Sequence, residues 1–342
     1  MGRLLFWLLV LGGAAAVFLY FFFTSAIARP GPNAEAETFT VERGASGADI
    51  ATALQREGLI NDPLHFRIAN RLYGSGGTLQ AGEYQIPAHA SVRQIVEMMT
   101  SGDALQHALT FHEGITIAAA MKIIEESDVL TGDMPDAPPE GSILPETYHV
   151  QRGMTRAALL QQMRDARDEA VAEIWAGRQA DLPISTPEEL VTLASIVERE
   201  TGVPTERPQV AAVFVNRLRV PMRLESDPTI IYGVCRQFPD RCVDGRLVNA
   251  QGQRRTIRAS EIALNTGYNT YRIDRLPPTP ISNPGRAALE ATANPAQSEA
   301  LYFVADGTGG HVFTRTLAEH NAAVARWRQI EAQRLAEERA SN

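Results

Sequence analysis

The chain has 342 residues, a formal net charge of −8 and 44% hydrophobic residues. That is long enough for two domains and a sizeable core. The acidic balance, with no basic stripe and interleaved aromatics, argues against a nucleic-acid partner. Its seven histidines are scattered, with no pair such as HExxH, so the sequence offers no metal site and implies no cofactor.

Residues 4 to 28 carry no charge. They include Leu4-Leu5-Phe6-Trp7-Leu8-Leu9-Val10-Leu11 and Val17-Phe18-Leu19-Tyr20-Phe21-Phe22-Phe23. A helix of about 20 apolar residues spans a bilayer, and Trp7 and Tyr20 suit its two interfaces. A cleaved signal peptide is the rival reading, because Ala26-Ile27-Ala28 resembles an A-x-A cleavage site. The apolar run exceeds the usual signal core, which favours an uncleaved anchor. Arg3 lies before the span, and Arg29, Glu35 and Glu37 follow it. The positive-inside bias then places the N-terminus in the cytoplasm and exports the rest.

Pro30-Gly31-Pro32-Asn33 reads as a linker. Phe39-Thr40-Val41 alternates like a short strand, and Ile50, Ala53, Leu54 and Leu59-Ile60 mark a helix. Pro63 to Leu72 predicts a second helix with Phe66, Ile68 and Leu72 inward. Gly74-Ser75-Gly76-Gly77 is a flexible turn; no strand precedes it and no Lys-Ser/Thr follows, so it is not a nucleotide loop. Leu79 to Ile86 is a strand interrupted by Gly82, and Val92 to Met99 a helix ended at Gly102. Together these make a small α+β module with no cluster of catalytic residue types.

The pattern restarts at Leu109-Thr110-Phe111, a strand, and a helix runs through Ile123-Ile124. Residues 131 to 141 are rich in Pro, Asp and Gly and predict a loop. Residues 156 to 178 predict a charged amphipathic helix. Next comes the stretch Glu188 to Gly202. Leu190, Leu193, Ala194 and Val197 recur at helical spacing. Ser185-Thr186-Pro187-Glu188-Glu189 supplies a hydroxyl cap, an early proline and first-turn acids, and Gly202 and Pro204 stop the helix. Two carboxylates, Glu198 and Glu200, appear at its end after an uncharged run. Positions two apart lie about 160° around a helix, so the two acids have separate jobs. Glu200 lies marginally nearer the apolar stripe. Apolar surroundings raise a carboxyl pKa and let it carry a proton at neutral pH, as a general acid must. The plainer alternative is that both acids are solvated residues of a last turn.

Cys235 and Cys242 have no histidine near them, so zinc is disfavoured; an even count in an exported domain suggests a disulfide. Leu301 to Ala305 and His311 to Thr314 flank a turn with Asp306-Gly307 and Gly309-Gly310, a hairpin signal. Residues 317 to 338 predict a helix that ends exposed.

Several motifs stand in order. Ser195-Ile196-Val197-Glu198-Arg199-Glu200-Thr201 is followed by Val213-Phe214-Val215-Asn216-Arg217-Leu218. Ser226-Asp227-Pro228-Thr229 leads to Tyr268-Asn269-Thr270-Tyr271. Leu276-Pro277-Pro278-Thr279-Pro280-Ile281, Asn283-Pro284-Gly285 and Glu319-His320-Asn321 come later. With the N-terminal anchor, this set resembles the endolytic murein transglycosylases, the MltG or YceG-like family, over nearly the whole chain.

The resemblance implies an α+β chain. Its parts are a cytoplasmic stub and anchor at 1–28, a linker at 29–38, a LysM-like domain at 39–108, a mixed α/β catalytic domain at 109–330 with a lysozyme-like acid-bearing helix, and an exposed C-terminal helix or tail at 331–342. It implies a single-pass inner-membrane protein with a periplasmic catalytic domain. Its substrate would be the glycan strands of nascent peptidoglycan, cut inside the chain between N-acetylmuramic acid and N-acetylglucosamine to leave 1,6-anhydro-N-acetylmuramic acid ends. It also implies association with the cell-wall synthesis machinery.

Most glycoside hydrolases need two carboxylates. A lytic transglycosylase manages with one, because the sugar's own tethered C6 hydroxyl replaces water. Related lytic enzymes carry the acid in a Glu-Ser pair at a helix end. Glu200-Thr201 matches and Glu198-Arg199 does not, which assigns Glu200 as the catalytic acid and leaves Glu198 as a supporting or solvent-facing residue. Asn216, Ser226, Asp227, Tyr268, Asn269 and Tyr271 match motif positions suited to sugar hydroxyls and N-acetyl groups. Two departures stand out: Glu225, where glutamine is usual, and the Cys235–Cys242 segment. A muramidase using water, and a non-catalytic wall-binding scaffold, are the competing functions.

Overall fold

A computed structural model describes residues 2–74 and 78–341. Ser75, Gly76 and Gly77 of the predicted flexible turn, and the terminal Asn342, lie outside the described residues. The chain divides into two compact units. The first comprises Met1–Leu109, Asp128–Gly132 and His149–Thr155; the second comprises Thr110–Ser127, Asp133–Tyr148 and Arg156–Asn342.

The first unit begins with α1 (Gly2–Ile27), whose Phe6–Ile27 segment is long and apolar enough to cross a membrane. Then come β1 (Glu37–Val41), α2 (Gly47–Arg56), α3 (Pro63–Tyr73), β2 (Gly82–Ile86) and α4 (Val92–Ser101). β3 (Gln106–Thr110) carries the chain to the boundary. The helix starts follow from their caps. Ser46 and Asp49 form a capping box at α2, Asp62 caps α3 ahead of Pro63, and Ser91 with Gln94 boxes α4. β1 and β2 pair antiparallel from Glu37 opposite Ile86 to Val41 opposite Gly82. Phe39, Leu54, Phe66, Tyr84, Ile95 and Met99 fill the core between strands and helices.

The predicted linker is pinned to this unit. Gly31 N–H donates to His89 O at 3.1 Å, and Asn33 Nδ2 donates to Pro87 O at 2.7 Å. A Cβ at position 31 would overlap the Ala90 carbonyl, so only glycine fits there. Ile27, the last residue of α1, lies in the same core.

The second unit holds α5 (Ile117–Glu126), part of β4 (Thr147–Gln151), α6 (Arg156–Ala176), α7 (Pro187–Glu200), α8 (Arg207–Arg219) and α9 (Asp227–Gln237). Short β5 (Cys242–Val243), β6 (Arg246–Leu247) and α10 (Ala259–Ile262) precede α11 (Arg286–Ala293), the antiparallel hairpin β7 (Tyr302–Ala305) and β8 (His311–Thr314), and α12 (Leu317–Ser341). Cys235 and Cys242 are joined by a disulfide.

α7 is the centre of this unit. Thr186 caps it by accepting from Glu189 N–H, Pro187 opens it, and Thr201 ends it in an extended conformation. The spacing predicts one apolar stripe, but every residue from Leu190 to Glu198 is buried. The reason is that α6, α8, α9 and α11 all pack on the helix, and a helix covered on all sides is buried all round. Each of Leu190, Leu193, Ile196 and Val197 then contributes roughly 1.5–3 kcal/mol through burial. Ser195 is accommodated because its hydroxyl donates to Thr192 O at 2.7 Å and accepts from Ile281 N–H at 3.0 Å. This ties the 281–285 segment to the helix.

Candidate active site

The two carboxylates at the end of α7 point into different environments. Glu198 is 9% exposed. One oxygen takes Arg207 Nη2 at 2.9 Å and the other takes Gly285 N–H at 3.0 Å. Arg207 also holds Glu113 at 2.6 Å. Burial raises the Glu198 pKa and Glu113 adds to this, while Gly285 N–H and Arg207 oppose. The expectation of a supporting or solvent-facing Glu198 therefore resolves against solvent. It is the less exposed of the two acids, and it braces α7 against α8 and the start of α11.

Glu200 is partly exposed to solvent but closely surrounded by protein. Burial pushes its pKa up to about 8, and the Asp227 carboxylate adds to the rise. Arg217 and the Ser226 hydroxyl pull the other way. Ser226 Oγ is fully buried and makes no hydrogen bond of regular geometry, yet it lies near enough to favour the charged carboxyl. At neutral pH Glu200 holds its proton.

The loop that faces Glu200 is rigidly built. Ser226 N–H donates to Thr270 Oγ1 at 2.9 Å, Thr229 Oγ1 donates to Ser226 O at 2.6 Å, and the two threonine hydroxyls meet at 2.8 Å. This buried knot fixes the start of α9 against the 268–271 loop. From that loop Tyr271 Oη donates to Asp227 Oδ1 at 2.9 Å. Burial and Asp227 hold the Tyr271 phenol well above its usual pKa. Glu225, just before Ser226, has φ +51°, a conformation rare without glycine and typical of functional sites.

The structure thus brings Ser226, Asp227 and Tyr271 together with Glu200. Asn216 faces elsewhere: its amide donates to Ser298 O and Ala300 O at 2.7 and 3.1 Å. Asn269 is fully buried, donates to Ile262 O and Leu264 O, and accepts Tyr271 N–H. Tyr268 is 7% exposed, bonds Thr279 through its hydroxyl and packs on Tyr232.

Arg217 belongs to this site, although the sequence reading passed over it. It donates to Leu224 O at 2.7 Å and to Leu301 O at 2.8 Å, which fixes its charge near Glu200 and 3.7 Å from Glu225. Its position in the Asn216-Arg217-Leu218 motif was the available signal. Glu140 was also passed over. It lies in the loop between α5 and β4, where Gly141 takes φ +77° and a Cβ would overlap Pro280. Glu140 Oε2 accepts Ile117 N–H at 3.0 Å and Asn283 Nδ2 at 3.3 Å. Burial pushes its pKa up to about 7, against Ile117 N–H, Arg236 and Arg199. It lines a cavity of about 330 Å³ together with Arg199, Pro228, Tyr232 and Arg236. Glu200 does not line this cavity, which adjoins the contact between α7 and α9. Among the described residues no three His, Cys, Asp or Glu side chains form a group that could hold a metal ion.

Comparison with known proteins agrees with the motif set. The model of the YceG-like family matches residues 39–326. The endolytic murein transglycosylase of Bacillus subtilis (strain 168) is 27% identical over 314 residues, covering 83% of this chain and 82% of that protein. The endolytic murein transglycosylase of Streptococcus pneumoniae serotype 2 (strain D39) is 25% identical over 338 residues, covering 83% of this chain and 58% of its own length. A crystal structure of a YceG-like protein from Listeria monocytogenes has 26% sequence identity and a TM-score of 0.47, covering 84% of this chain and 98% of that one.

Proposed function

The chain belongs to the YceG-like family, and from that premise we propose that it is an endolytic murein transglycosylase acting on peptidoglycan glycan strands. The observation that carries this reading is the place of the Glu200 carboxyl, set among Asp227, Ser226 and Arg217 at the end of a buried helix, where burial favours its protonated form. Glu200 donates its proton to the glycosidic oxygen between N-acetylmuramic acid and N-acetylglucosamine, the bond from that oxygen to the muramic acid C1 breaks, and N-acetylglucosamine leaves with a free hydroxyl. The carboxylate left behind then removes the proton of the muramic acid C6 hydroxyl as that oxygen bonds to C1. The tethered hydroxyl is present at high effective concentration, so no water need be activated. The product is a 1,6-anhydro end.

Arg217 and Ser226 favour the charged carboxyl once the first proton has left, while Asp227 disfavours it. Their balance keeps one group usable first as acid and then as base. Asp227, oriented by Tyr271, also supports a second reading, because a second carboxylate beside the acid suits hydrolysis by water. The products differ by one water mass.

The remaining assignments rest on the same family reading. α1 anchors the protein in the inner membrane, with Arg3 on the cytoplasmic side and the rest of the chain after α1 outside. The small α+β unit that follows serves as the LysM-like module. The cell-wall synthesis proteins are the partners that a terminator of glycan elongation requires.

The test is mass spectrometry of soluble products after full-length, detergent-solubilised protein acts on purified sacculi. Wild type releases anhydro ends, Glu200→Gln releases none, and Glu198→Gln retains measurable release. Reducing muramic ends from wild type would establish the hydrolytic reading. Binding to sacculi with no release would establish the scaffold.

A further inference from the structure

The cavity beside the α7–α9 contact has a composition that a neutral sugar does not require. Arg199 and Arg236 line it with Glu140, Tyr232 and Thr116, and the Cys235–Cys242 disulfide forms part of its wall. Arg199 also lines a second cavity of mixed charge, where Arg246 and Lys122 stand with Glu113, Glu126 and Asp244. Among the described residues no carboxylate pairs with Arg199, Arg236, Arg246 or Arg254, although neighbouring arginines are paired: Arg207 with Glu198 and Arg255 with Glu261. Arg199 makes one hydrogen bond, to Gly114 O at 3.3 Å. Burial lowers its pKa and the like charges of Arg246 and Arg254 lower it further, while Glu198 and Glu140 oppose. Glu198 is already taken by Arg207, so Glu140 is left to face these guanidinium groups, and the excess of positive charge suits an anion. Among the described residues Glu140 is the one acid lining the cavity, two donors hold its Oε2, and none bonds Oε1.

We propose that this cavity binds the acidic peptide carried by the muramic acid of the substrate, with Arg199 and Arg236 taking its carboxylates and Glu140 taking a peptide N–H or an ammonium. The proposal rests on the glycan-cleaving reading and adds to it a subsite outside the catalytic carboxyls. The muramic acid of peptidoglycan carries a short peptide with free carboxylates, whereas its sugar ring and N-acetyl group are neutral. The volume of about 330 Å³ lies at the small end of ligand sites and suits a few residues of extended peptide. Pro228 in the lining directly follows Asp227, and Arg199 directly precedes Glu200. The cavity thus takes a lining residue from next to each carboxylate of the proposed cleavage site.

The experiment measures binding to full-length Glu200→Gln protein in detergent, so that no ligand is consumed. The ligands are an N-acetylglucosamine–N-acetylmuramic acid disaccharide carrying a tetrapeptide and the same disaccharide without it. The peptide should tighten binding by about tenfold, the effect of one good charge-assisted contact. Adding Arg199→Gln and Arg236→Gln should remove the difference. Raising salt from low ionic strength to about 0.5 M should shrink the preference in the unaltered site, a readout that needs no folded double variant. Equal affinity for the two ligands, a preference insensitive to salt, or a preference surviving in a folded double variant would overturn the proposal. So would inorganic pyrophosphate binding competitively while the peptide adds nothing, since that marks a lipid-linked phosphate as the anion. Cleavage of sacculi by wild type without peptide preference sinks this subsite alone. Peptide preference without cleavage sinks the transglycosylase reading alone.

Discussion

Replacing Glu200 by Gln should stabilise the second unit, and the gain should grow with pH. The carboxyl rises from 4.5 to about 8 on folding, with burial and then Asp227 as causes. Between those values the folded state binds more protons than the unfolded state, so wild-type stability falls as pH rises from about 4.5 to about 8. Above that window the acid is ionised in both states and its full cost is present. The shift corresponds to about 5 kcal/mol if taken whole. Glu200 is partly open to water, which roughly halves the cost and leaves about 2 kcal/mol. Glutamine has similar shape and no charge, so it avoids this cost at every pH. The assay is thermal unfolding of full-length wild type and Glu200→Gln in detergent at pH 5, 7 and 8.5, followed by the transition of the second unit. Near pH 5 the midpoints should nearly coincide. At pH 8.5 the variant should unfold about 4–8 °C higher, using about 2–4 °C per kcal/mol for a unit of this size. A constant difference at all three values, or a variant less stable at pH 8.5, would refute the placement of a buried proton on this residue.

Three further outcomes follow from the same geometry. Arg207→Ala leaves Glu198 buried without its cation and should lower stability by about 3 kcal/mol, read as a drop of about 6–12 °C in the same unfolding transition. Tyr271→Phe removes the 2.9 Å hydrogen bond to Asp227; it should lower kcat on sacculi about tenfold while leaving the thermal midpoint within a few degrees. Ser195→Ala leaves Ile281 N–H buried without its acceptor and should cost about 1–3 kcal/mol in urea unfolding, with no change in the pH profile of activity.

α7 was legible because its signals are local. Thr186, Pro187 and the first-turn acids mark its start within a few residues, and the ends fall where they indicate. The helical wheel put Glu198 and Glu200 on different sides, as the structure does, but set Glu200 nearer the apolar stripe, whereas Glu198 is the less exposed of the two. Glu198 is buried by Arg207, Glu113 and Gly285, and Glu113 and Gly285 lie more than eighty residues away in the chain. The same holds for Glu140. It reads as one acid in a Pro-rich loop until Ile117 and Asn283 close around it. Amides misled in the opposite direction. Asn216 and Asn269 look like sugar ligands by type, yet Asn269 closes a turn and Asn216 ties α8 to the 298–300 segment. A side chain suited to a carbohydrate hydroxyl is equally suited to a backbone carbonyl, and sequence alone does not separate them. The segments Asp128–Gly132 and His149–Thr155, which return to the first unit, carry no local mark of that destination.

The burial of Ile27 bears on where the first unit can work. The last turn of α1 is part of that unit's interior, and the residues after it are stitched down at Gly31 and Asn33. A tether of free chain would let the folded body roam over many tens of ångströms; a stalk merging into the body it carries gives no such leash. With α1 in a bilayer, the small unit rides at a constant altitude just above the lipid.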